Sequence, residues 1–244
     1  MARGSVVRHE LVLRWRERDR PLPRRVIRAT ALGPAPAWHE YPAGFSVADG
    51  APGPFDFSRS LQALLADIAL RSPDFRHVQA PRILVSVTQA RGGAAHGLQA
   101  RVTPLRFARG ALTQVRRGVP FQVQRYFLDD HEFLYVMTFC LPRFLNQDFD
   151  QKMVTVFHEL HHISPEFDGG LRRFQGRCHV HTHSQRAYDE RMAHYAREYL
   201  SSRPDPACYG FLRMTFAQLH ARHGAVAGIV VPRPKIIPIQ GRPA

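Results

Sequence analysis

The chain has 244 residues, 44% of them hydrophobic and 22% charged, which is a globular rather than a disordered composition and is long enough to bury a core without staples. No apolar run approaches the ~18–20 residues of a membrane span, and the first twenty residues lack the continuous apolar stretch of a secretory signal. Three cysteines with no C-x-x-C exclude a disulfide framework and a zinc ribbon, and fit a reducing, cytoplasmic setting. The formal charge is +14, and Lys152 and Lys235 are the only lysines. The other basic side chains are arginines, which pair with phosphates and stack on bases. GC-rich arginine codons account for the ratio but not for the net charge, so nucleic acid stays open as a partner.

Residues 1–20 alternate loosely through Val7, Leu11, Leu13 and Trp15, as a strand or short helix would. Seven prolines and four glycines between Pro21 and Pro54 predict a loop layer without long regular elements. Ser58 then reads as the cap of a helix over Leu61–Arg71 that Pro73 stops. Four strands follow, at Arg82–Gln89, Gly97–Phe107, Pro120–Leu128 and Glu132–Leu141, the last almost wholly apolar as a central strand is.

Asp148 or Asn146 caps the next helix, which runs to about Ile163 with Phe149, Met153, Val156, Phe157, Leu160 and Ile163 in one stripe. Ser184 caps a further helix to about Leu200, Phe211–His223 forms a last one before Gly224, and Gly228–Val231 forms a strand. The plan is α+β: an N-terminal segment 1–54 packed on the core, a domain over 55–231 whose sheet of about four mixed or antiparallel strands packs on one helix, and a Pro-rich tail 232–244.

That helix carries His158-Glu159-Leu160-His161-His162, an H-E-x-x-H motif. Residues four apart share a helical face, so His158 and His162 can offer imidazole nitrogens to one zinc ion. Glu159, beside them, can take a proton from a zinc-bound water and deliver it to a leaving group. The apolar stripe centres nearly opposite the pair, which predicts a helix with its back on the sheet and its histidines toward a cleft. Three other His-Glu dipeptides, at His9, His39 and His131, lack the second histidine. Six of the fourteen histidines fall between His158 and His183.

For the third ligand, His179, His181 and His183 alternate, and His183, just before the Ser184 cap, is favoured over His181 and then His179. Asp168 competes, because His158-x3-His162-x5-Asp168 has the spacing of compact three-ligand zinc sites. His161 points away from the pair and reads as a neighbour rather than a ligand. Tyr188 or Tyr195 are candidates to donate to an oxyanion, with aromatic packing the plainer role. Arg172 and Arg173 are candidates for a substrate carboxylate or phosphate, or a solvated turn. The cysteines read as buried or incidental thiols.

The stretch FHELHHISPEFDGGLRRF…HTHSQRAYD resembles the zincin metallopeptidases, most closely a family of phage and bacterial metallopeptidases and more distantly the SprT-type proteases. The resemblance spans about residues 60–200 and is sharp only in the helix motif. It implies zinc at His158 and His162, Glu159 as catalytic base, and a third histidine where His183 stands. The chain departs from SprT-type proteins in lacking their cysteine-based zinc ribbon and in having HTHS where they have a glycine-flanked histidine. The expected function is a zinc metallopeptidase acting on a protein or peptide. The alternatives are a zinc-dependent endoribonuclease using His158, His162 and Asp168, and a zinc-binding protein without catalysis.

Overall fold

A computed structural model describes residues 12–16, 22–27, 53–90, 97–173 and 185–239. It is a mixed α+β structure. Among the described residues five α-helices accompany twelve short strands arranged in four three-stranded sheets.

The sheet that positions the candidate site contains β4 (Ile83–Gln89), β10 (Tyr135–Leu141) and β5 (Ala100–Pro104). β10 is central, parallel to β4 and antiparallel to β5. Its alternate residues serve two cores. Tyr135, Met137 and Phe139, with Ile83, Val85 and Val87 of β4, pack in the larger cluster, while Val136 and Leu84 face the smaller one. A strand covered on both faces has no polar face to show, hence the apolar run of β10.

Helix α1 (Phe57–Arg71) and helix α2 (Phe149–His161) cover the larger cluster, joined by α3 (Gln185–Ser201). Asp56, not Ser58, caps α1 by accepting from the Arg59 N–H at 3.1 Å, and it also pairs with Arg24. Ser58 is buried, and its hydroxyl accepts from the Ile229 N–H at 2.8 Å. Asp148 caps α2, as expected, through the Gln151 N–H at 2.7 Å. The cap expected at Ser184 lies outside the described residues.

Three further sheets complete the fold, and Ile27, Phe55 and Val226 of one of them join the larger cluster. β1 (Val12–Trp15) runs parallel to β8 (Arg125–Leu128), which pairs with β9 (His131–Phe133). β2 (Arg24–Ile27) and β3 (Phe55–Asp56) flank β11 (Val226–Ile229). β6 (Thr113–Arg116) and β12 (Ile236–Pro238) flank β7 (Val119–Val123).

Several expected elements are divided. Pro120–Leu128 splits at Gln124 into β7 and β8, and Glu132–Leu141 splits at Leu134 into β9 and β10. Phe211–His223 becomes a 3₁₀ turn at Gly210–Arg213 and helix α5 (Phe216–His223), preceded by the short α4 (Pro206–Tyr209). The segment 21–54, expected as a loop layer without long regular elements, contributes the four-residue β2, and the Pro-rich tail contributes the three-residue β12, which ends on Pro238 at a sheet edge. No described helix is long and apolar enough to cross a membrane.

Gly228 of β11 lies so close to β4 that a Cβ there would sit 2.6 Å from both Cγ atoms of Val87. Gly228→Ala is expected to destabilise the fold by roughly 1–3 kcal/mol, with part of the loss recovered in the double variant with Val87→Ala. Urea unfolding midpoints measure this; an unchanged midpoint for Gly228→Ala contradicts the close approach.

Candidate metal centre

Helix α2 ends at His161, and His162 is its C-cap with helical dihedrals, φ −73° and ψ −17°. The i,i+4 geometry therefore extends through His162. The two imidazoles meet edge to face, with ring centroids 4.7 Å apart. Met153, Val156, Phe157 and Leu160 are fully buried, and His158 and His162 are partly exposed, as the stripe required.

Glu159 is 7% exposed, and its Oε2 accepts from the Val102 N–H at 2.6 Å. The register explains why that donor is free. Leu105 N–H donates to Leu134 and Cys140 N–H donates to Gln99, so the odd-numbered residues of this segment exchange bonds with β10. Ala100, Val102 and Pro104 turn their backbone groups to the opposite edge, where Glu159 reaches one of them. Burial pushes the Glu159 carboxyl up to about 7, against the downward pull of the Val102 N–H and the Arg101 guanidinium.

His161 is buried. Its Nδ1 is 2.9 Å from the hydroxyl of Tyr188 on α3. Burial, with the nearby Arg172 charge, pushes its pKa down to about 3, so it is neutral in ordinary buffers. The Tyr188 ring lies 4.9 Å from that of His158 and 6.1 Å from that of His162. Tyr195 packs on Phe75 and Phe157, the plainer role foreseen for it.

Arg172 ties the end of the helix: its N–H donates to the His162 carbonyl at 2.8 Å and its Nε to the His161 carbonyl at 2.7 Å. The loop between them is held by Tyr135, whose hydroxyl donates to the Gly170 carbonyl at 2.8 Å and accepts from the Gly169 N–H at 3.0 Å.

Among the described residues no third His, Cys, Asp or Glu joins His158 and His162 in a metal-holding group. Asp168, the competing ligand, is turned into its own loop, with Oδ1 accepting from the Gly170 N–H at 2.8 Å. His183, His181 and His179 lie outside the described residues, as does Cys178. Cys140 is buried and Cys208 partly so.

Two partners at this site have little sequence signal. The Val102 N–H is a backbone group whose availability depends on strand register. The Tyr188 hydroxyl is one aromatic among several on an amphipathic helix. Comparison with protein-family models, with curated proteins and with solved structures finds no match for the chain.

The raised Glu159 pKa fixes the sign of a pH effect in the metal-free protein. The folded state holds a proton that the unfolded chain releases near pH 4.5, so the Glu159 contribution to stability falls as pH rises from there through about 7. In the presence of chelator, Glu159→Gln should be more stable than wild type at pH 8 by on the order of 2–3 kcal/mol, and the difference should shrink toward pH 5. Unfolding midpoints at the two pH values measure it; a gap of equal size at both contradicts the buried, proton-holding carboxyl.

Proposed function

We propose that the chain is a zinc-dependent metallopeptidase with a zincin-like arrangement of sheet and active-site helix. The observation that carries this reading is the geometry of α2: two partly exposed imidazoles 4.7 Å apart, with the carboxylate of the intervening turn reaching the free edge of a strand. His158 and His162 would hold the zinc, with His183 proposed as the third ligand; neutral imidazoles on one helical face are a donor set that zinc accepts. Bound there, the metal would polarise the scissile carbonyl and acidify a water.

The protein's own groups supply the rest. Glu159 follows His158 directly on α2, and the Val102 N–H fixes the direction of its carboxylate through Oε2. A carboxyl group whose pKa lies near neutrality can both take a proton and return one, which general acid–base catalysis of amide cleavage requires. With the Val102 N–H held by Glu159, the outward Ala100 N–H and the carbonyls of Ala100, Val102 and Pro104 offer an extended peptide main-chain hydrogen bonds along β5. That favours an extended segment of a protein as substrate.

The test uses purified protein with an unstructured protein substrate. Glu159→Gln is expected to retain zinc and to lose turnover by about 10²–10⁴-fold, whereas His158→Ala is expected to lose both. Full turnover by Glu159→Gln removes Glu159 from the chemistry and overturns the reading.

A further inference from the structure

We propose that Tyr188 is a positioning residue for the metal pair, acting through its hydrogen bond to His161; the proposal rests on the metallopeptidase reading. Tyr188 is 2% exposed and belongs to α3, a different element from the three histidines it touches. Its ring meets His158 edge to face at 4.9 Å and an interplanar angle of 74°, and lies nearly parallel to His162 at 6.1 Å and 22°. One aromatic ring thus borders both imidazoles of the pair and restricts the rotation of each.

A tyrosine ring in that place could still turn. Its hydroxyl stops it, because the oxygen lies 2.9 Å from His161 Nδ1 in a buried setting. The bond fixes where the ring's far end sits, and the ring plane in turn limits the planes of His158 and His162. His161 is itself held on both sides, with Arg172 Nε on its carbonyl and Tyr195 beside its ring at 6.1 Å. Rigid helix, His161, Tyr188 and the pair therefore form one connected set.

His161, the middle histidine of His158-Glu159-Leu160-His161-His162, thereby gains a role that metal ligation does not give it. It is the anchor that sets the direction of its neighbours' rings through the Tyr188 ring that all three histidines share. Groups that orient metal-binding histidines are commonly worth ten- to a hundred-fold in metal affinity.

The experiment measures zinc and cobalt affinity by competition with a chromophoric chelator in the full chain, alongside thermal unfolding of the metal-free proteins. Tyr188→Phe keeps the ring and removes the bond; His161→Leu removes the hydroxyl's partner; His161→Gln keeps a hydrogen-bonding group there. Zinc affinity is expected to fall about ten-fold or more in Tyr188→Phe and in His161→Leu, no further in the double variant, and to be largely retained in His161→Gln. The cobalt spectrum should shift in Tyr188→Phe while the unfolding temperature of the metal-free protein stays within a few degrees of wild type. Wild-type zinc affinity in Tyr188→Phe overturns the positioning role and leaves the metallopeptidase reading standing. Absence of zinc binding by the wild-type chain overturns both.

Discussion

The structure depends on the burial of one face of α2. Met153, Val156, Phe157 and Leu160 have no exposed surface, and they are shared between the sheet of β4, β10 and β5 and the helix α3. At ~25 cal/mol per Å² of apolar surface, four such side chains outweigh any preference of the polar residues between them. The rotation of the helix is therefore set by its apolar stripe. The positions of His158 and His162 follow from it, because a pair four residues apart has to lie on whatever face the stripe leaves over.

An apolar stripe fixes a helix's rotation only within a few tens of degrees, and three buried polar side chains sharpen it. Lys152 Nζ donates to the carbonyls of Leu212 and Met214 at 3.0 and 2.8 Å, Glu159 accepts from the β5 backbone, and His161 bonds Tyr188 of α3. Each buried polar group is matched by a group on a different neighbouring element. Since an unpaired buried polar group costs about 1–3 kcal/mol, a helix turned or slid out of this register loses several bonds together. The same bonds that define the register also orient the candidate catalytic carboxylate and border the imidazole pair, so fold stability and site geometry rest on shared contacts.

Much of this was legible in the residues. The capping residues left the start of α2 at Asp148 or Asn146, its apolar spacing gave the buried face, and H-E-x-x-H gave the pair and the carboxylate. The twelve-strand organisation was not legible, because short strands broken at single residues such as Gln124 and Leu134 look continuous to an alternation count. Ser58 and Asp56 are both good caps on paper, and only the approach of Ile229 to Ser58 decides between them. The Asp168 spacing matched a known ligand pattern, yet a local turn to Gly170 satisfies that carboxylate. Tyr188 was named only as an oxyanion donor; its bond to His161, like the Val102 N–H on Glu159, arises from contacts between elements distant in the chain, which no local pattern encodes.

The most direct test of the account is the zinc content and zinc-edge X-ray absorption of the purified chain, compared with His162→Ala. One zinc per chain, held by nitrogen and oxygen ligands at about 2.0–2.2 Å and lost in the variant, is the expected result. A wild-type chain without stoichiometric zinc, or one whose zinc is unaffected by His162→Ala, contradicts it.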